Sequence, residues 1–207
     1  ENRYGQAAQL LESWKASGVL ERDAQPGYYL YEEEFQAYGD SYRLRGFICT
    51  VELEEFSKGV VLPHEETLSK AKEDRFQLMK HTFCNFSQIY SLYDDPDGSI
   101  FALVQELSRR EPDQTLTTED GITHRLWHVT QPDALAALSA KFEGKQLFIA
   151  DGHHRYETAL RFRDYLRAEG VIQSEDHPAN RVMMMLVDLS GSSSTLEAVQ
   201  EDLQKKQ

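Results

Sequence analysis

The spacing of apolar residues along the chain predicts a series of amphipathic helices. Leu10, Leu11 and Trp14 recur at helical spacing and predict a helix over residues 3–17, which Gly18 ends. Pro132 suits the first position of a helix that Gly144 follows. Further helices are predicted over residues 70–84, 99–109 and 132–142, and after residue 152.

Strands are predicted where apolar residues alternate or form short runs. Phe47, Cys49 and Val51 alternate with polar residues, as in a half-buried strand. The predicted strands cover residues 28–35, 44–53, 87–93, 115–118, 122–129, 147–150 and 181–189, with a short apolar run at 59–62. Turn residues at 38–40 and 120–121 predict two hairpins. The order of elements indicates an α+β fold with a mixed sheet and helices.

The length of 207 residues suits one α+β domain, which we expect over residues 1–190. Residues 191–194 are glycine and serine and predict a linker, and the apolar spacing after them predicts a short terminal helix up to residue 207. The chain begins at Glu1 rather than Met, as expected of a fragment of a longer protein.

Composition and charge narrow the class of partner. A net charge of −13 argues against nucleic acid as a partner, because binding its phosphates needs a basic face. No apolar stretch approaches the roughly 20 residues that span a bilayer, so we expect a cytoplasmic protein without a membrane partner. Cys49 and Cys84 lie in apolar surroundings and are predicted to be buried free thiols. Oligomeric state stays open.

The most informative segment is DGHHRY at residues 151–156, which joins a predicted strand to a predicted helix. Helix N-termini favour anions, so His153, His154 and Arg155 in a first turn indicate a negative ligand, with phosphate the natural candidate. Gly152 permits close backbone approach to that ligand. Asp151 is a candidate magnesium ligand or catalytic base, and equally a candidate helix N-cap.

A second cluster precedes and enters the helix at 70–84. Lys72 and Arg75 are three residues apart, so they share a helix face and both reach one phosphate chain; a solvated face is the alternative. Glu65 is a second candidate for the catalytic base or metal ligand. His64-Glu65 begins a zinc-protease pattern, but Leu68 stands where the second histidine belongs, so zinc is not expected.

The cations of these segments form a set that is expected to build a positive pocket on an acidic body. Such a pocket suits a small phosphorylated ligand better than a polymer. The set consists of Lys72, Arg75, Arg155, Arg161 and Arg163. Glu157 and Arg161 are four apart on the last helix and are predicted to form a surface ion pair.

The motifs resemble an uncharacterised family, the domain of unknown function 1015, over residues 28–186. The matching positions are LPHE at 62–65, Thr67, Lys72, DR at 74–75, residues 90–93, HRLW at 124–127 and residues 149–160. The DGHHR core also resembles the phosphate-binding turn of the ParB/sulfiredoxin superfamily. That superfamily includes an ADP-dependent free serine kinase, ParB nucleotidases and sulfiredoxin.

The resemblance implies a ParB/sulfiredoxin-like strand, turn and helix that binds nucleotide phosphates, and it carries onto residues 151–155 alone. The family usually continues to a Pro-Thr-His-Arg motif, whereas this chain passes from Leu189 into the serine-rich segment. If that motif belongs to the site, we expect this chain to fold without activity.

Together, these features predict binding of ADP or ATP with Mg²⁺, and transfer of a phosphoryl group to a small hydroxyl compound such as an amino acid. Phosphoryl transfer needs cationic clamps and one base, and little more. Gly152, His153, His154 and Arg155 would hold phosphate, with Lys72 and Arg75 as the second clamp. The base or metal ligand would come from Glu65 or Asp151, and His153 is a further catalytic candidate. The alternatives are a non-catalytic nucleotide or phosphometabolite sensor, or a partner-binding scaffold.

Overall fold

A computed structural model describes residues 2–37, 39–64 and 69–189, apart from the side chains of residues 69–71. Several predictions from the sequence lie outside the described residues. These concern Glu65 as a base or metal ligand, the linker at 191–194 and the helix after it.

Five α-helices lie within the described residues, and each was predicted. The predicted bounds of the first four differ from the observed ones by at most two residues, and only the start of the fifth was predicted. The helices are α1 (Arg3–Ala16), α2 (Ser69–Thr82), α3 (Ser99–Leu107), α4 (Pro132–Ala140) and α5 (His153–Ala168). The predicted apolar face of α1 was partly wrong, because Leu11 is buried while Leu10 and Trp14 are exposed. None of the described helices combines the length and the apolar character that crossing a membrane requires.

The described strands form one mixed sheet, which confirms the α+β class. They are β1 (Tyr28–Ala37), β2 (Asp40–Glu52), β3 (Val61–Leu62), β4 (Ile89–Tyr93), β5 (Gln114–Thr117), β6 (Thr123–Val129), β7 (Leu147–Asp151) and β8 (Arg181–Asp188). Their order in the sheet is β3-β7-β4-β8-β2-β1-β6-β5. Both predicted hairpins are present as antiparallel pairs, β1 with β2 and β5 with β6.

Contacts divide the chain into two compact units. One comprises Glu1–Pro26, Thr50–Tyr90 and Phe148–Met184, and the other comprises Gly27–Cys49, Ser91–Leu147 and Met185–Gln207. The first unit contains α1, α2 and α5, and therefore the DGHHRY segment.

Both cysteines are free, as predicted, but each is half-buried rather than buried.

In the first unit, α2 packs beside α5 and the two helices run in the same direction. Lys72 donates to Glu157 at 2.7 Å, and eight residues later the ammonium of Lys80 lies 4.7 Å from the ring centroid of Tyr165. Residues further along α2 thus contact residues further along α5, which is the pattern of two parallel helices. Their shared core consists of Phe76, Phe162 and Leu166, with Met79, Tyr165, Ile172 and Ala179 packed against it.

In the second unit, β1 lies between β2 and β6 and one face carries a buried carboxylate. Leu30 is paired with Phe47 on one side and with Trp127 on the other, and all three side chains are buried. Two positions further along the same face, Glu32 is 2 % exposed and forms ion pairs with Arg45 and Arg125. The alternation of the strands therefore places an apolar row beside a charged row.

A second ion pair in this unit makes stability depend on pH. The Asp113 carboxylate accepts hydrogen bonds from the Arg110 guanidinium at 2.6 and 2.8 Å and from the backbone N–H of His128 at 2.7 Å. These bonds lower the pKa of Asp113 from 3.8 to about 2, with Arg110 the largest cause. A lowered pKa stabilises the folded state above the unfolded value, and that stabilisation is lost as pH falls from 3.8 towards 2.

We therefore expect Asp113→Asn to lower the free energy of unfolding near neutral pH, and the difference from the wild type to shrink as the pH approaches 2. Urea unfolding at a series of pH values measures this. The control is Glu119→Gln, which removes an exposed carboxylate nearby in the chain and should leave the acid dependence unchanged. A constant difference at all pH values would contradict the assignment.

Candidate functional site

The turn between β7 and α5 is built on Gly152. β7 ends at Asp151, and Gly152 is the N-cap of α5 with a left-handed φ of 98°. The prediction that Asp151 caps the helix was wrong, because Asp151 is still an extended strand residue. Its carboxylate instead accepts a hydrogen bond from Nη2 of Arg155 at 2.5 Å, one turn into the helix.

The Arg155 guanidinium folds back over Gly152. Nη1 donates to Oγ of Ser87 at 3.0 Å, while Nη2 donates to Asp151. A Cβ atom on Gly152 would lie 2.7 Å from Nη2 and 2.8 Å from Nε of Arg155. Glycine is therefore needed here twice, once for the left-handed backbone and once to leave room for the guanidinium.

His153, predicted as a phosphate ligand and catalytic residue, is buried, with 1 % of its surface exposed. Its Nε2 accepts the backbone N–H of His64 at 3.2 Å, and Nδ1 of His64 lies 3.2 Å from the same atom. The two rings are stacked with centroids 4.5 Å apart. Since Nε2 accepts the backbone N–H of His64, a neutral His153 ring carries its proton on Nδ1, and His153 holds the backbone of His64 in position. His154 beside it is half-buried.

Tyr156 closes the DGHHRY segment and ties α5 to the residues after β2. Its hydroxyl donates to the carbonyl of Glu54 at 2.7 Å and accepts the backbone N–H of Glu54 at 3.0 Å. The Tyr156 ring is buried and stacks on Phe56 at 5.2 Å. Burial raises the pKa of the Tyr156 hydroxyl to about 12, so it stays protonated and its donor role is permanent.

Arg75 from α2 and Arg155 from α5 line one cavity of about 120 Å³, which we call the arginine cavity. Its polar lining also includes the hydroxyl residues Ser87 and Thr158 and the amide residue Asn85, while its apolar wall includes Leu78, Met79, Phe86 and Val182. Two guanidinium groups with neighbouring hydroxyl groups are the donor set that binds phosphate or carboxylate.

The predicted set of cations is only partly brought together. Lys72 donates to Glu157, Arg161 pairs with Glu73 at 2.6 Å, and Arg163 pairs with Glu55 at 2.6 Å. Arg163 also donates to the backbone carbonyl of Leu53 and is buried. Glu157 and Arg161, predicted to pair with one another, thus each hold a partner on α2. Of the five predicted cations, Arg75 and Arg155 line the arginine cavity.

The candidate metal ligand Asp151 keeps 64 % of its side chain exposed, although it is paired with Arg155. Within the described part of the chain, no three His, Cys, Asp or Glu side chains form a group that would hold a metal ion. Mg²⁺ is commonly held by one or two carboxylates and the phosphates of a ligand. A magnesium ion at Asp151 would therefore need phosphate oxygens of a ligand to complete its coordination.

Sequence reasoning missed three residues of this site. Thr158 is three residues after Arg155 and so shares its helix face, a spacing that would have identified it. Ser87 lies 68 residues from Arg155 in sequence, and no local pattern indicates their contact. His64 was noted for its zinc-protease resemblance, whereas its actual partner is the ring of His153.

The chain belongs to the family described as Protein of unknown function (DUF1015), whose model matches residues 1–199. This confirms the resemblance inferred from the motifs and extends it beyond residues 28–186. No curated protein and no solved structure matches the chain. The resemblance to the ParB/sulfiredoxin superfamily therefore stays a prediction.

We expect Gly152→Ala to destabilise the protein more than Gly170→Ala. Both residues have left-handed φ angles, of 98° and 71°, so alanine costs about 1–2 kcal/mol at either position. A Cβ atom at Gly170 has open space, whereas one at Gly152 displaces the Arg155 guanidinium from Ser87 and Asp151. That displacement should add about 0.5–1.5 kcal/mol, measured by urea unfolding. Equal losses in the two variants would contradict the packing of Arg155 over Gly152.

Proposed function

We propose that this member of the DUF1015 family binds a nucleoside di- or triphosphate through its phosphates in the arginine cavity. We propose further that it transfers a phosphoryl group to a small hydroxyl compound such as an amino acid. The observation that carries the proposal is the meeting of Arg75 and Arg155, from two different helices, on one cavity.

The electrostatics of α5 support a phosphate ligand. Arg155 lies in the first turn of α5, where the positive end of the helix dipole favours an anion. The arginine cavity borders α2 from Arg75 towards its C-terminal end, so the dipole of α2 does not contribute. Arg155 can bind two oxygens at once, and the hydroxyl group of Ser87, which accepts from Arg155, keeps its own proton to donate. The hydroxyl of Thr158 already donates to the carbonyl of His154 at 2.6 Å.

Each residue of the DGHHRY segment has a distinct proposed role. Arg155 holds phosphate, and Asp151 orients its guanidinium through their ion pair. Asp151 would also hold Mg²⁺ together with phosphate oxygens, and the ion would neutralise phosphate charge. His153 holds His64 in position by accepting its backbone N–H.

A second candidate function, a non-catalytic sensor of a nucleotide or phosphometabolite, is favoured by the state of Asp151. Its Oδ2 already accepts from Arg155 at 2.5 Å, so this carboxylate is neutralised by a cation. That ion pair engages the oxygen with which a catalytic base would contact the acceptor hydroxyl. A sensor needs the same phosphate donors as an enzyme but no base.

We expect Arg155→Ala to weaken the binding of ADP and ATP at least about tenfold, because it removes a charge-assisted, bidentate contact. Calorimetric titration with and without Mg²⁺ measures the dissociation constant. In the wild type, the better nucleotide at a hundredfold excess over its dissociation constant should stabilise the fold by about 2.7 kcal/mol.

Arg161→Ala is the matched control for this variant. It removes the same charge from the same helix, but Arg161 is paired with Glu73 rather than facing the arginine cavity. Nucleotide affinity should therefore change little in the control. Equal affinity of wild type and Arg155→Ala, with both folded, would remove the DGHHRY segment from the proposed function.

Turnover separates the enzyme from the sensor. If the protein is a phosphotransferase, incubation with the bound nucleotide, Mg²⁺ and a pool of free hydroxyl amino acids should yield a phosphorylated product, detected by ³¹P NMR. Asp151→Asn should then lower the rate while the fold survives, because residue 151 lies exposed at the strand end. Binding without consumption of the nucleotide would identify a sensor.

A further inference from the structure

The residue that ends α2 has a backbone conformation unusual for its type. Phe83 follows Thr82 with a φ of 51°, and it is the one non-glycine residue with a positive φ in the described ranges. Its amide donates to the carbonyl of Met79 at 2.8 Å, which is the bond that terminates a helix with a left-handed residue. Glycine or asparagine usually fills this position, because a bulky side chain there is strained.

The strained backbone presents an aromatic ring to solvent. Phe83 is 67 % exposed, and its ring meets Phe162 of α5 edge to face at 5.6 Å. Phe86, three residues later, is 53 % exposed. Strain and exposure at one large apolar residue indicate a role in binding rather than in folding.

Phe83 lines a second cavity, which we call the aromatic cavity, of about 380 Å³. Its apolar wall includes Met79, Ala159, Phe162 and Leu166, so it lies along α2 and α5 further from their N-termini than Arg75 and Arg155. Polar groups at this cavity come from Arg22, His177 and Arg181. An apolar wall with a few polar groups is the usual composition of a small-molecule site.

The two cavities adjoin, because Met79, Cys84 and Asn85 line both of them. Arg75 lies in α2 and Phe83 is the residue directly after it, eight residues further on, which is about 12 Å at the rise of an α-helix. An elongated ligand that places anionic groups at Arg75 and Arg155 therefore brings its other end to the ring of Phe83.

We infer that the aromatic cavity binds the base of the nucleotide whose phosphates occupy the arginine cavity, with the base stacked on Phe83. This inference rests on the proposed function and assigns the ligand to the nucleotides rather than to sugar phosphates or other phosphorylated metabolites. Any nucleobase gains stacking energy on an exposed aromatic ring, because every base has a flat π-face. A sugar has no such face. The amide of Asn85, shared by both cavities, is placed to contact the sugar or an edge of the base.

The test compares ADP with inorganic pyrophosphate, which has the phosphates but no base. In the wild type, ADP should bind more tightly than pyrophosphate. Phe83→Asn should raise the dissociation constant of ADP about 5- to 150-fold, corresponding to about 1–3 kcal/mol of stacking, and leave that of pyrophosphate unchanged. Asparagine accepts a left-handed backbone, so the variant should be at least as stable as the wild type while it binds ADP less well.

Two further variants test whether the loss of ADP affinity depends on the aromatic ring of Phe83. Phe83→Leu keeps an apolar side chain without a ring and should lose ADP affinity in the same way, which serves if the asparagine variant is unstable. Phe101→Ala removes another exposed phenylalanine, 47 % exposed on α3, and should leave both ligands unaffected.

The outcomes separate this inference from the proposed function. Binding of both ligands with ADP affinity unchanged in the Phe83 variants overturns the assignment of the base and leaves the phosphate site standing. Equal loss of ADP affinity in Phe101→Ala also overturns it. Binding of neither ligand by the folded wild type overturns the phosphate site and the base site together.

Discussion

The parallel packing of α2 against α5 is the constraint on which the candidate site depends. Phe76, Phe162 and Leu166 hold the two helices together, and Lys72 pairs with Glu157 across the same interface. Because the helices run in the same direction, their N-terminal ends lie together, with Arg155 in the first turn of α5 and Arg75 in the second turn of α2. Antiparallel helices would have put the positive end of one dipole beside the negative end of the other.

Charge in this acidic protein is arranged largely by pairing. Cations of the first unit are matched with carboxylates, as Lys72, Arg161 and Arg163 illustrate. The second unit follows the same rule, where Glu32 is buried between Arg45 and Arg125. A net charge of −13 therefore does not prevent a local cationic site, because it is the placement of Arg75 and Arg155 on one cavity that an anion would encounter.

Two positions depart from what local backbone preferences favour, and both lie beside the cavities. Gly152 has no side chain, which leaves room for the guanidinium of Arg155 to fold over it. Phe83 has a left-handed backbone, and its ring is exposed. Natural sequences tend to violate local rules at functional sites and to offset the cost elsewhere. Here the offset comes from the aromatic core between α2 and α5 and from the bonds of Tyr156 to Glu54.

Local sequence determined the elements of this protein and the membership of its family. Periods of about 3.6 and 2 residues placed the described helices and hairpins, since those patterns depend on neighbours in the chain. The DGHHRY segment likewise predicted a strand, a glycine turn and a helix start.

Tertiary structure alone decided which side chains meet. In the folded protein Asp151 pairs with Arg155 rather than capping the helix, and Lys72 pairs with Glu157. Ser87 contacts Arg155, 68 positions away, and His64 contacts His153, 89 positions away. Such contacts depend on how α2 and α5 pack, and the spacing of residues within one helix carries no information about the face of another.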